Sequence, residues 1–221
     1  MAKLTDWLYP YIRCVACARE APLSAEHLCA DCIEALSGLY SDALPEGVWS
    51  GYVYEGVARE LVHRLKFGNI HGAARPLAER MSIAGERLWE SDCDALVPVP
   101  LSKKRERERG YNQSALLCAE LSRITGLPVL DKRCLLRTRN TATQTRLSLL
   151  DRHTNVFEAF AAARVKGLRL ILVDDVYTTG ATAKDCARAL KAAGAEHVHV
   201  LCATIAKEHG RADKQNEGQA E

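Results

Sequence analysis

Residues Leu168–Asp175, "LRLILVDD", are apolar almost without interruption and then end in two adjacent carboxylates. A strand with one face in water alternates apolar and polar side chains, whereas a run without alternation belongs to a strand covered on both faces. The sequence around it has the same character. "AKDCARALKAAGA" (Ala183–Ala195) has the spacing of an amphipathic helix with Gly194 as its stop signal, and "HVHVLCATIA" (His197–Ala206) comes next as a second strand.

Upstream, "WSGYVYEG" (Trp49–Gly56) alternates like a short strand, and "VARELVHRLKFG" (Val57–Gly68) has helical spacing ended by Gly68. Helical character resumes over 73–89. "CDALVPVPLS" (Cys93–Ser102) predicts a buried strand running into a loop, "NQSALLCAELSRITG" a helix closed by Gly126, and "LPVL" the start of another strand. A further helix is expected around Ser148–Asn155. The alternation predicts an α/β fold, a mainly parallel sheet flanked by helices. Such sheets bind ligands at the carboxyl ends of their strands, which directs attention to the loops after Val97–Pro100 and Val173–Asp175.

A chain of 221 residues accommodates one large domain, or a medium domain with a small appendage. Its 48% apolar content supports a sizeable core. With 30 basic and 28 acidic residues the net charge is +2, so any anion binding must come from local clustering. No run approaches the length of a membrane span, and "MAKLTDWLYPYIRC" lacks the apolar region of a signal peptide. A cytoplasmic protein without stable membrane insertion is expected. Trp7, Tyr9 and Tyr11 read as packing on the adjacent small domain, with docking to a membrane or partner as the alternative. The tail from 207 to 221 is polar and is expected to be disordered.

A lone pair such as Asp174–Asp175 ordinarily caps a helix or sits in solvent. Here "YTTGAT" comes directly after it, placing Thr178, Thr179 and Thr182 around Gly180 just before a helix start. Hydroxyls, free backbone N–H groups and the positive end of a helix form a phosphate cradle, and a glycine lets the backbone approach the anion. Carboxylates beside such a cradle suit a sugar phosphate with vicinal hydroxyls, and can help position Mg²⁺ on those hydroxyls. No G-x-x-x-x-G-K-[ST] or G-x-G-x-x-G motif competes with this reading.

This stretch resembles the phosphoribosyl-pyrophosphate (PRPP) motif of the type I phosphoribosyltransferases. The resemblance implies that Asp174 and Asp175 are the catalytic pair on the ribose 2′- and 3′-hydroxyls. It implies a 5′-phosphate site at Tyr177, Thr178, Thr179, Gly180, Ala181 and Thr182. PRPP also carries a pyrophosphate, and "VPVPLSKKRERERGYNQ" (Val97–Gln113) offers Lys103, Arg105 and Arg109 for it, flanked by Lys104 and Arg107. Taken alone, "KKRERER" reads equally as a solvated helix face of alternating charge. At a strand end beside a ribose-phosphate loop, the bidentate fork of Arg favours pyrophosphate. The polar interval Leu135–Phe160 corresponds in these enzymes to a loop that closes over substrate, which implies a mobile loop with Arg139, Gln144 and Arg146. Arg152 and Asn155 read there as loop groups or ordinary caps.

Three stretches, "VPVPLSKKRERERGYNQ", "RNTATQTRLSLLDRHTNVFEAF" and "ILVDDVYTTGATA", together resemble the ComF/GntX family of competence proteins. "YEGVARELVHRLKFGN" fits the early helix of that family, which often has Phe where Tyr111 stands.

Of the nine cysteines, Cys14, Cys17, Cys29 and Cys32 form C-x2-C-x11-C-x2-C. Two such knuckles supply the four thiolates of a tetrahedral structural Zn²⁺, and a segment so poor in apolar residues needs metal for its folding energy. A redox role for the pairs is the alternative. The other five cysteines read as small buried hydrophobes. The ComF resemblance also includes a zinc ribbon at this place. The organisation expected is a ribbon over 1–42, a linker "YSDALPEGVW", a phosphoribosyltransferase domain over 48–206, and the tail.

Two functions are implied. One is transfer of phosphoribosyl from PRPP, with Mg²⁺, to an unidentified acceptor, linked through the family to competence and DNA uptake. The other is a non-catalytic module that senses PRPP or a nucleotide and binds single-stranded DNA alongside a DNA-translocase partner. For that second role Arg13 and Arg19 offer cations, although Glu20, Glu26, Asp31 and Glu34 keep the ribbon from being strongly basic. A degenerate core kept as a scaffold is a third option, against which the intact acidic pair and phosphate loop argue.

Overall fold

The computed structural model describes residues 13–41, 44–138 and 159–206. In chain order these residues form α1 (Ala30–Ser37), β1 (Val48–Val53), α2 (Gly56–Phe67), α3 (Ala74–Ala84), α4 (Glu86–Glu90) and β2 (Ala95–Pro98). Beyond them come α5 (Lys103–Arg109), α6 (Gln113–Thr125), β3 (Leu135–Arg137), β4 (Phe160–Ala162), β5 (Arg169–Tyr177), α7 (Ala181–Ala192) and β6 (His197–Ile205).

β1, β6, β5 and β2 lie side by side in that order, all parallel. β5 is paired on both edges, with Leu172 opposite Val97 of β2 and Val200 of β6. Its faces are covered too, which explains the unbroken apolar run. Ile171 and Val173 pack with Leu61, Leu65, Leu77, Met81, Leu117 and Leu121 from α2, α3 and α6. Leu170 and Leu172 face the other way, into a cluster with Cys186 and Leu190 of α7 and Leu135 of β3. Cys118, Cys134, Cys186 and Cys202 are buried, and Cys93 is partly buried.

The register of β2 and β5 decides where the loops meet. Pro98 stands opposite Val173, and the Val99 amide donates to the Val173 carbonyl at 3.0 Å. β2 therefore ends beside Val173 while β5 runs on to Tyr177, so the loop after β2 begins next to Asp174 and Asp175.

Several elements differ from the sequence expectation, each for a local reason. The helix read over 73–89 breaks at Gly85, where the chain folds so that the Trp89 indole donates to the Ser82 carbonyl at 2.6 Å. A Cβ at residue 85 would stand 2.9 Å from that ring. "LPVL" makes only a single bridge, Val129 to Leu96, because Pro128 has no amide to donate and Asp131 already caps the next turn. β3 and β4 form a short antiparallel pair that no periodicity foretold. α7 begins at Ala181, earlier than expected, with Gly180 in the left-handed conformation (φ 73°) as its cap. The helix expected at Ser148–Asn155 and the polar tail lie outside the described residues, as do Trp7, Tyr9 and Tyr11. Among the described residues no helix is long and apolar enough to cross a membrane.

The cysteine segment joins the main core. Val15, Ala16, Leu28 and Leu36 share one apolar cluster with Leu61, Leu65 and Ala74. The chain then crosses to β1, where the Val53 amide donates to the Leu39 carbonyl at 2.7 Å. Tyr40 pairs with Tyr52, and the Arg80 guanidinium lies 3.8 Å from the Tyr40 ring centre.

Candidate functional site

A cavity of about 640 Å³ opens at the carboxyl ends of β2 and β5. Lys66, Arg105, Arg109 and Arg137 bring positive charge to its wall, and Asp174 and Asp175 bring negative charge. The loop after β2, the end of β5 and the first turn of α7 thus line one space.

Asp174 and Asp175 are both buried. Asp174 Oδ1 accepts the Asp175 amide at 2.9 Å and the Ser114 hydroxyl at 3.4 Å. Burial, and then the charge of Asp175, push the Asp174 carboxyl up to about 7. The Asp175 N–H, the Lys66 ammonium and Ser114 act in the opposite direction without overcoming them. Asp175 is held differently. The Lys66 ammonium lies 3.0 Å from its Oδ2, yet that oxygen accepts no aligned hydrogen bond. The Lys66 ammonium compensates the charge of this buried oxygen without an aligned hydrogen bond. The Thr204 hydroxyl fixes the backbone from behind, donating to the Asp175 carbonyl at 3.0 Å.

The loop after β5 has the form of an anion cradle. Among the described residues the amides of Thr178, Thr179 and Gly180 make no hydrogen bond, and the first turn of α7 opens behind them. Thr178, Thr179, Ala181 and Thr182 are exposed, and Thr182 lines the cavity. Tyr177 is placed otherwise than expected. It is the last residue of β5, buried, and its ring and hydroxyl lie where a Cβ on Gly180 would be. Tyr177 thus supports the loop from below, and residue 180 must be glycine both for its positive φ and for this contact.

Across the cavity, Ser102 caps α5 by accepting the Arg105 amide at 3.3 Å, and Gly110 ends that helix in the left-handed conformation. Arg105 and Arg109 line the cavity. Lys103 does not; it opens α5 as an exposed residue. Burial lowers the affinity of Arg109 and Arg137 for their protons, and Arg105 repels Arg137 further. Converging guanidiniums of this kind call for a polyanion. "GYNQS" sets the geometry: Asn112 caps α6 and donates to the Val99 carbonyl at 3.0 Å, and Gln113 accepts from Arg109. The Tyr111 hydroxyl donates to the Leu65 carbonyl at 2.5 Å, so the hydroxyl as well as the ring is used.

Near the N-terminus, the sulfurs of Cys14, Cys17, Cys29 and Cys32 lie within 4.8 Å of one another. Ala18, at φ 61°, turns the chain back after the first pair, and its amide donates to the Cys14 carbonyl at 2.8 Å. The Cys29 amide donates to Cys14 Sγ at 3.4 Å, and the Arg19 guanidinium donates to Cys17 Sγ at 3.5 Å. Four clustered thiols with N–H donors aimed at sulfur suit one tetrahedral metal ion.

The phosphoribosyl transferase domain family matches residues 133–218. Competence protein F of Haemophilus influenzae is 34% identical over 204 residues, spanning 87% of this chain and 83% of that protein. The chain belongs to the competence protein F family. Competence protein ComFC of Bacillus subtilis is 31% identical over 179 residues, covering 80% of this chain and 70% of that one. DNA utilization protein YhgH of Salmonella typhimurium is 40% identical over 147 residues, which is 64% of either chain. The chain has a type I phosphoribosyltransferase core, a parallel sheet flanked by helices, with the cysteine cluster near its N-terminus.

The sequence left Lys66, Phe67, Asn69 and Ser114 unassigned, although all but Ser114 line the cavity and Ser114 donates to Asp174. Lys66 reads in sequence as a cation placed favourably at a helix C-terminus. One signal was available for Phe67. The buried positions of α2 are Ala58, Leu61, Val62 and Leu65, and Phe67 falls off that stripe. Arg139, Gln144 and Arg146 lie outside the described residues.

The raised value of Asp174 has a consequence for stability. Between its ordinary value of 3.8 and about 7 this carboxyl binds more protons in the folded chain than in the unfolded one. Its contribution is therefore greatest below pH 4 and is lost as pH rises towards 7. Asp174→Asn, which cannot ionise, should be more stable than the parent at pH 8 by on the order of 1–2 kcal/mol, with the gap closing towards pH 4. Urea unfolding at the two pH values measures this, and a gap independent of pH contradicts it.

Proposed function

We propose that this chain binds PRPP and transfers its phosphoribosyl group to a nitrogen acceptor, releasing pyrophosphate. The observation that carries the reading is the presence in one cavity of the acidic pair Asp174–Asp175, the Thr182 end of an anion cradle, and the cations Arg105, Arg109 and Arg137. A ribose bearing phosphate at one end and pyrophosphate at the other needs these three groups.

In this reading the Asp175 carboxylate accepts a ribose hydroxyl, and Asp174 accepts the neighbouring one. The N–H groups and hydroxyls of Thr178, Thr179, Gly180 and Thr182 hold the 5′-phosphate. Arg105 and Arg109, joined by Arg137, hold the pyrophosphate as its bond to C1 breaks and negative charge gathers on it. Lys103, exposed at the start of α5, adds charge near them without lining the cavity. The acceptor nitrogen forms the new bond to C1 and gives up a proton. Asp174 and Asp175 would help hold Mg²⁺ at this site, where it would supply neutralisation of charge on the leaving pyrophosphate. Lys66 pairs with Asp175 and holds it in place before the sugar arrives.

The rest of the chain has two further roles in this proposal. The four-cysteine cluster holds a structural Zn²⁺, supported by its donor set and by its continuity with the main core. The names of the relatives, competence protein and DNA utilization protein, support a role in DNA uptake or use. The same names favour a second reading, in which the core senses PRPP or a nucleotide while the protein contacts single-stranded DNA and a translocase. Pyrophosphate release separates the two.

For the site, Asp175→Asn should weaken PRPP binding roughly 10- to 100-fold in equilibrium dialysis, the effect of losing one charge-assisted hydrogen bond. Unchanged affinity in a folded variant sinks the assignment. For the ribbon, the purified chain should carry one equivalent of zinc by elemental analysis, and a strong chelator should lower its melting temperature. A metal-free chain with the same melting temperature contradicts the zinc site.

A further inference from the structure

We infer that Arg19, anchored by Asp31, is a latch across the two knuckles of the cysteine cluster, and that the Cys17 sulfur beneath it is the point at which a bound metal ion is lost and the cluster is chemically modified. The inference rests on the structural-metal reading of the four cysteines, and adds to it a positioning residue and a reactive corner.

The four sulfurs are not equally covered. Cys14, Cys29 and Cys32 are buried, at 1%, 3% and 4% exposed, whereas Cys17 is partly open to solvent. Each knuckle contributes two sulfurs, and the two knuckles meet where Cys17 Sγ and Cys29 Sγ approach to 3.7 Å. Arg19 stands over that meeting point. Its Nε donates to Cys17 Sγ at 3.5 Å, and a terminal nitrogen lies 4.0 Å from Cys29 Sγ. The same nitrogen donates to Asp31 Oδ2 at 2.6 Å. Cys17 belongs to the first knuckle, and Cys29 and Asp31 to the second, so one guanidinium ties both halves of the cluster. The planar fork of Arg suits this task, since its several donors are held at fixed angles.

An exposed ion pair such as Arg19–Asp31 contributes little to stability by itself. Its place gives it another use. Four thiolates around one divalent ion leave the centre negative overall, and donors outside the coordination shell orient the ligands and temper their charge. The Cys29 amide serves Cys14 in this way from inside the fold, and Arg19 serves the two sulfurs on the open side. The backbone is bent to bring it there. Ala18, between Cys17 and Arg19, is in the left-handed region, which a residue with a Cβ rarely enters. The Cys14 amide donates to the Arg19 carbonyl at 3.0 Å and fixes the residue from its own backbone. Arg13 provides the contrast. It also flanks the cluster, one residue before Cys14, but its guanidinium pairs with Glu20 at 3.0 Å and among the described residues makes no bond to sulfur. Both cations that the sequence offered to a nucleic-acid strand therefore already face a carboxylate of this chain.

The test is the rate at which the zinc-loaded full chain gives up its metal to a chromogenic chelator, with Arg19→Ala, Arg19→Lys, Asp31→Ala and Arg13→Ala compared with the parent. All three residues are exposed, so the variants should fold. Arg19→Ala should release zinc roughly tenfold faster, the scale on which partners outside the coordination shell act. Asp31→Ala should be faster by a smaller factor, and Arg19→Lys, which keeps the charge and loses the fork, should fall between Arg19→Ala and the parent. Arg13→Ala removes the same charge from the same surface and should match the parent. In the cobalt-loaded chain the thiolate-to-metal absorption should move to longer wavelength in Arg19→Ala, because sulfurs without their donor give up an electron more easily, and should stay in place in Arg13→Ala. Brief treatment with iodoacetamide, in which a sulfur displaces iodide and gains a carboxamidomethyl group, should mark Cys17 before the other three by peptide mass spectrometry. An Arg19→Ala chain that keeps no zinc through purification, while Arg13→Ala keeps it, is the extreme of the expected effect. Release at the parental rate in Arg19→Ala, equal acceleration in Arg13→Ala, an unmoved cobalt band, or first labelling at another of the four sulfurs overturns the inference and leaves the metal site standing. A parent chain that holds no zinc overturns both.

Discussion

Two carboxylates buried side by side at the end of a central strand repel each other and lose the solvation of water, and the chain is built around that cost. The Asp175 amide and Ser114 stabilise Asp174, Lys66 stabilises Asp175, and Thr204 holds the backbone between them. Each of these groups comes from a different element: β5 itself, α6, α2 and β6. Placing the pair therefore fixes the relative positions of the surrounding layers. Natural proteins accept such local expense where a ligand offsets it.

The parallel register of β2 and β5 gives this pair its partners. Because Pro98 and Val173 stand opposite each other, a strand that ends in prolines opens its loop beside the aspartates of β5. Cations from that loop and the first turn of α7 then face one cavity. The cysteine segment contributes to the same core through Val15, Leu28 and Leu36, against the helix α2 that carries Lys66 and Phe67. A disturbance at the cysteine cluster thus has a packed route to α2, and so to the mouth of the site.

How much of this was legible in the sequence depends on how local each signal is. "LRLILVDD" announced a doubly covered strand, and "YTTGAT" announced an anion loop, because strand, carboxylates, glycine and helix start are contiguous. The four cysteines were readable for the same reason. Lys66 was not, since its partner is distant in the chain and only the fold brings them together. Strand β5 runs further than its apolar run suggests, carried on by pairing as far as Ile205 of β6, which puts Tyr177 in the strand. Lys103 was grouped with Arg105 and Arg109 by charge and by place after a strand end, and of the three only Arg105 and Arg109 line the cavity. The strands β3 and β4 are too short to show any period, and Gly85 gave no hint that an indole would need the space beside it.

The central claim is that this cavity takes a ribose carrying phosphate at both ends. The most direct measurement is calorimetric titration of the unmodified chain with PRPP, with and without Mg²⁺. Binding at one site per chain, strengthened when Mg²⁺ is present, is the predicted result. Absence of binding under both conditions, in a folded chain, would contradict the claim.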